Sequence, residues 1–272
     1  MTTGRGARAA LWLLAGVVLA FIYVPLVVVT VNSFNADKTF AWPPTGWTLQ
    51  WWSAAAESPG PREALGMSVR AGLGATAIAV VLGTLLALAL TRYRFFGRQA
   101  ISLLVILPIA LPGIVTGIAL QSVISSVLTP VFGISAGLFT IIVGHATFCV
   151  VVVFNNVVAR LRRMGGSLEL ASADLGAGPW TTFRLVTFPL LRSALVAGAL
   201  LAFGLSFDEI VVTTFTAGPG TPTLPIWIYN NLFRPNQAPV VNVVAVVLVV
   251  ASILPVWVAQ RVGGSAAVDS RL

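Results

Sequence analysis

The stretch ALWLLAGVVLAFIYVPLVVVTV, residues 10–31, contains no charged side chain. A helix needs about 20 apolar residues to cross a ~30 Å hydrocarbon core, so this stretch can span a bilayer. It lacks a small-residue cleavage site and is too long for a signal-peptide core, so it reads as a retained first span. Five more stretches share its character: 67–91, 101–127, 136–159, 191–215 and 240–260. Any one alone would also suit a buried core helix. Six of them, joined by short polar connections, leave little room for that. Composition agrees: the chain is 57% hydrophobic and 9% charged, against about 25% charged in soluble domains. A soluble protein so poor in charge could not cover its own surface. Barrel strands would show about ten residues of alternating polarity, and these runs are continuous. The expected fold is all-α: a polytopic membrane helical bundle of six transmembrane helices, one domain over 1–272.

The net charge of +8 invites a nucleic-acid reading, but its distribution argues otherwise. With six spans, both termini share one side. That side collects twelve arginines: Arg5, Arg8, Arg92, Arg94, Arg98, Arg160, Arg162, Arg163, Arg184, Arg192, Arg261 and Arg271. The other side holds four basic residues, Lys38, Arg62, Arg70 and Arg234. Basic residues concentrate in cytoplasmic loops, so the N and C termini are expected in the cytoplasm. The charge orients the chain in the membrane and forms no stripe suited to DNA.

The first external loop, about 32–66, carries Trp42, Trp47, Trp51 and Trp52. Indole rings favour the membrane interface, so the loop reads as an anchor, with a partner contact as the alternative. A short interfacial helix is expected over 48–56. In the third span, Pro108, Pro112, Gly113 and Gly117 predict bends. His145, the only histidine, reads as a packed, hydrogen-bonded residue or a proton relay. Gln121, Asn155 and Asn156 read as polar links between helices. Cys149 is the only cysteine, so no intrachain disulfide can form.

The longest internal connection, about 160–190, begins Gly165, Gly166, Ser167. Ser167 suits an N-cap and Gly176 a helix C-terminus, which predicts a short helix over 168–175. Leu168, Ala171 and Leu175 then share one face. Pro179 suits the first position of a second helix. The short helix reads either as an interfacial helix on lipid or as a rigid peg for a soluble partner.

Asp208 and Glu209 interrupt the fifth apolar run. An ionised carboxylate at the bilayer centre costs about 2.5–3.5 kcal/mol on insertion scales, and such groups face a bundle interior or a water-filled path. Ser206-x-x-Glu209 also fits a capping box that restarts a helix broken after Gly204. Both readings stand for Glu209; Asp208 is freer for a path.

Several chemistries are absent from the sequence. There is no G-x-x-x-x-G-K-[ST] phosphate loop, and the only lysine is Lys38. One His and one Cys make no metal cluster, and no nucleophile–base pair is evident. The chain is not expected to be an enzyme or to carry a metal or other cofactor. Its energy must come from another polypeptide or an ion gradient.

The segment LELASADLGAGPWTTFRLVTFP, residues 168–189, resembles the signature loop of ABC-importer permeases, E-A-A-x-x-x-G, nine residues, then I-x-L-P. Gly176 and Ala171 sit at the glycine and the middle alanine. Val186 and Phe188 replace isoleucine and leucine, and Pro189 closes the motif. Leu170 stands at the glutamate position, with Glu169 one place earlier, and Ser172 at the second alanine. YVPL at 23–26, SFN at 33–35, LPIALP at 107–112, GIAL at 117–120 and HATFC at 145–149 resemble the spermidine/putrescine branch. So do SFDE at 206–209, FTAGPG at 215–220 and LPIWIY at 224–229.

The resemblance implies a permease of the type I, binding-protein-dependent importers, in the bacterial plasma (inner) membrane. It implies a second permease subunit as heterodimeric partner, two ABC ATPase subunits, an external substrate-binding protein, surrounding lipid and a polyamine substrate. Leu168, Glu169, Leu170, Ala171, Ser172, Leu175, Gly176 and Pro189 would then couple the chain to the ATPase. Ser206, Asp208 and Glu209 would belong to the substrate path, where an acidic group favours a cation. Alternatives are an importer of another small solute, an ion-driven secondary transporter, and a membrane scaffold without transport.

Overall fold

The structure, a computed structural model, describes residues 4–38, 42–234 and 237–251. In chain order the helices are α1 (Arg5–Asn32), α2 (Gln50–Glu57), α3 (Pro59–Arg92), α4 (Arg98–Ala110), α5 (Gly113–Val123) and α6 (Thr129–Phe132). There follow α7 (Leu138–Met164), α8 (Ser167–Asp174), α9 (Pro179–Thr182), α10 (Phe188–Phe207), α11 (Val211–Thr216) and α12 (Leu224–Leu232). The last described helix, α13, covers Ala238–Ala251. Among the described residues, five continuous helical segments are long and apolar enough to cross a membrane: Arg8–Asn32, Pro59–Arg92, Gly113–Phe132, Leu138–Met164 and Pro179–Phe207.

The expected spans 10–31, 67–91 and 136–159 lie inside the first, second and fourth of these, give or take a few residues. The third expected span, 101–127, is not one helix. Leu111 takes an extended ψ of 143° and Pro112 serves as N-cap of α5, because the residue before a proline is pushed out of the helical region. The fifth expected span begins earlier, at Pro179, and ends earlier, at Phe207. The sixth, 240–260, is described only to Ala251; its remainder, Arg261, Arg271 and the C-terminus lie outside the described residues.

Two other prolines are accommodated without a break. Ile124–Leu128 and Phe183–Thr187 are π-helical, and each is followed directly by an α-helix with proline in its second position, Pro130 and Pro189. A proline ring clashes with the carbonyl four residues back. One turn of wider π register relieves that clash while the helix continues.

The described residues form two compact units, Glu63–Trp227, and 4–62 with Ile228–Ala251. In the first, α7 is the central helix. Phe148, Cys149, Val153, Phe154, Val157 and Leu161 from it join Ala75, Ala79, Ala87 and Leu90 of α3 and Leu191 and Ala202 of α10 in one apolar core. Small residues let the helices approach. A Cβ on Gly83 would stand 2.9 Å from the Val150 carbonyl oxygen, so the α3 and α7 backbones touch there, as small residues permit in membrane packing.

In the other unit, the apolar stretch of α1 buries nothing; Leu13, Phe21 and Val27 stand exposed. Such a surface suits lipid or another subunit and would be unusual against water. The tryptophans after α1 divide their work. Trp51 Nε1 donates to the Asn35 carbonyl at 2.8 Å and Trp52 stacks on Phe34, so both hold the loop together. Trp42 and Trp47 remain exposed, in keeping with an anchor. The expected helix over 48–56 is α2, at Gln50–Glu57.

Candidate functional site

The loop after α7 is built around α8. Gly166, not Ser167, is its N-cap, and no side chain caps it. Its C-terminus is closed by backbone alone. Gly176 takes φ +81°; its N–H donates to Ala173 O at 2.9 Å, and the Ala177 N–H donates to Ser172 O at 3.1 Å. This is the paired 5→2 and 6→1 closure that favours glycine in the left-handed region. Pro179 then opens α9, with Gly178 as N-cap.

The polar and apolar faces of α8 are reversed from those of a helix packed by its leucines. Leu168, Leu170, Ala171 and Leu175 face outward, exposed. Glu169 and Ser172, three apart, face the rest of the unit. Glu169 Oε2 lies 2.7 Å from Arg92 Nε, and Oε1 accepts from Arg92 Nη2 at 3.2 Å. Arg92 Nη2 also donates to the Gly165 carbonyl at 2.8 Å, and the Thr187 hydroxyl donates to Glu169 at 2.9 Å. Ser172 and Thr182 hydroxyls lie 3.0 Å apart. Glu169 therefore ties α8 to the end of α3 and to the π turn ahead of Pro189. In the sequence Arg92 stands out only as an orienting charge, and Thr182 and Thr187 do not stand out; the available signal is that Glu169 and Asp174 are the two acids in a stretch, 160–190, that holds four arginines.

The second place is the break between α10 and α11. Ser206 is buried, and its hydroxyl lies 2.7 Å from His145 Nδ1; Thr213 Oγ1 lies 2.8 Å from His145 Nε2. The single histidine is packed and bonded at both nitrogens, pinning α10 and α11 to α7. The expected reciprocal capping box does not form, because the Ser206 side chain turns to His145 instead of the turn that follows it. Glu209 still caps: its Oε1 accepts from the Val212 N–H at 2.5 Å, satisfying a donor at the start of α11. Asp208 is exposed, and among the described residues its carboxylate makes no hydrogen bond or ion pair. The negative end of the α10 dipole and both carboxylates meet at this break, which makes it electronegative.

Comparison with known proteins gives the context for both places. Residues 79–264 match the family described as binding-protein-dependent transport system inner membrane component. The chain is 32% identical over 231 residues to the putrescine transport system permease protein PotI of Escherichia coli (strain K12), an overlap of 84% of this chain and 81% of PotI. It is 33% identical over 247 residues to the spermidine/putrescine transport system permease protein PotC of Haemophilus influenzae, covering 90% and 93%. Its backbone superposes with a TM-score of 0.73, over 96% of this chain and 99% of the other, on a chain from a bacterial ABC transporter involved in import of the acidic polysaccharide alginate. At 14% identity that last likeness concerns fold alone. The matched pattern and these two relatives place this chain in the family of binding-protein-dependent transport system inner membrane components, as a multi-pass permease subunit of an ABC importer.

Proposed function

We propose that this permease carries polyamines such as putrescine and spermidine into the cell as one transmembrane domain of a larger assembly. A second permease would complete the path, two ATPase subunits would supply energy, and an external binding protein would deliver the substrate. Its own part is mechanical and electrostatic, not enzymatic. Leu168, Leu170, Ala171 and Leu175 offer aliphatic surface to an ATPase cleft, while Glu169 and Ser172 hold α8 to the bundle. Closure of the ATPases on ATP would push α8, and the bundle would switch the side to which its path opens.

The observation that carries the substrate class is Asp208. Its carboxylate is exposed and unpaired at the negative end of α10, whereas Glu209 is engaged in capping α11. A cation entering a low-dielectric bundle is stabilised there and an anion is repelled. The names of PotI and PotC point to the same chemistry. An importer of another solute would share every other feature. Family membership sets the ion-driven and scaffold alternatives aside.

The importer assignment predicts co-purification of the chain with an ATPase whose turnover rises with the loaded binding protein. Failure to hold any ATPase, with the loop intact, sinks it. For the substrate class, Asp208→Asn in the assembled transporter is expected to slow polyamine uptake about tenfold, ~1.4 kcal/mol of barrier. Glu209→Gln keeps an acceptor oxygen for Val212 and is expected to assemble normally. Parental polyamine uptake in both variants would remove the path role of the acidic pair.

A further inference from the structure

The arginine-rich end of the unit holds a concavity of about 280 Å³ that the transport reading does not use. It opens between the end of α3, the start of α4, the end of α7 and the turn leading into α8. Arg92, Arg98 and Arg162 line it, backed by the nearly fully buried Leu90, Phe154 and Leu161. That volume exceeds the ~30 Å³ of a single water many times over and approaches the ~300 Å³ lower bound of small-molecule sites. We propose that this concavity binds the phosphate-bearing headgroup of an anionic phospholipid.

Charge is the first reason. Among the described residues the ion pair of Arg92 with Glu169 is the only one, so Arg98 and Arg162 keep uncompensated charge. Two guanidinium-bearing residues at one opening suit a phosphate, which accepts paired N–H donors. Orienting the chain needs arginines at this end of the bundle, but not in one cavity. Arg94 and Arg163, at the same end, do not line it.

Position along the helices is the second reason. Apolar helices α3 and α7 end here, at Arg92 and Met164, which is the level of the headgroup layer. Basic pockets between helices on the cytoplasmic side bind acidic headgroups. This inference shares with the transport reading the assignment of the α8 end to the cytoplasm. The site also touches the coupling region, because Arg92 both lines the cavity and holds Glu169. A bound headgroup would compete with Glu169 for Arg92, so acidic lipid at this site would loosen α8.

Native mass spectrometry of the assembled transporter, purified from a mixture of phosphatidylethanolamine and phosphatidylglycerol, tests this by counting retained lipid. Arg98→Gln with Arg162→Gln is expected to lower phosphatidylglycerol retention about fivefold per arginine removed. The pair Arg94→Gln and Arg163→Gln removes equal charge from the same end outside the cavity and is expected to retain lipid as the parent does. Equal loss in both pairs would overturn the site in favour of general surface attraction, and so would no loss in the first. Displacement of the lipid by millimolar inorganic phosphate would also overturn it, by showing a site for free anion. Retention is counted without uptake, so this result stands apart from the outcome for transport.

Discussion

Gly176→Pro is expected to leave the spans inserted, to abolish uptake, and to make ATP turnover insensitive to the binding protein. The reason is local. Gly176 sits at φ +81°, and proline is locked near −65°. Proline also removes the N–H that Ala173 O accepts at 2.9 Å. Both bonds that close α8 depend on that one conformation, so its last turn must unwind. A proline that suits its site stabilises a fold by up to ~1 kcal/mol, and at an incompatible site such as this one the loss is larger than that gain. Alanine here meets only the left-handed penalty of ~1–2 kcal/mol, so Gly176→Ala should fall between parent and proline. Ala171→Arg offers a second route to the same phenotype. It places a long cation on the outward face without touching Glu169 or Ser172. The readouts are inserted protein, binding-protein-stimulated ATPase turnover and uptake in proteoliposomes. Normal uptake in both Gly176→Pro and Ala171→Arg would remove the coupling role of α8.

The second large effect concerns the link between α8 and α3. Glu169→Lys sets an ammonium against the Arg92 guanidinium, where 2.7 Å now separates opposite charges. It also takes from the Thr187 hydroxyl its acceptor. Uptake is expected to fall about tenfold or more while the spans, which do not depend on this pair, stay inserted. Combining it with Arg92→Glu restores opposite charges and is expected to recover much of the loss. Contacting pairs of this kind show interaction energies of about 0.5–3 kcal/mol in double-mutant cycles. Simple addition of the two single losses would mean that the ion pair plays no part in transmission. The expected effect is on transmission of movement, read as uptake and as ATP turnover stimulated by the binding protein.

What the sequence reveals and what it hides follow from distance along the chain. Residues 10–31 announce a span because hydropathy is a property of each side chain and needs no partner. Gly176 and Pro179 punctuate the loop correctly, because a helix end is settled by residues a few places apart. The break at Leu111–Pro112 was half legible: proline predicts a bend, but π turns ahead of Pro130 and Pro189 show that a bend and a break need different surroundings. Glu169 is the opposite case. Its role depends on Arg92, 77 residues earlier, and no local pattern connects the two. Ser206 fails as a capping box for the same reason. Its local partner was three residues away, but a histidine 61 residues distant claimed its hydroxyl.

The inverted faces of α8 have a consequence for how such a chain can change over generations. Leu168, Ala171 and Leu175 stand exposed, so one aliphatic residue can replace another there at little cost to the fold. Glu169 has no such freedom; it can be exchanged only together with Arg92, in a different part of the gene. One eight-residue helix thus carries two inheritances, a quick one on its outward face and a slow one facing inward. Hybrid transporters built by swapping permeases between related systems should therefore be repaired by changing the outward leucines alone.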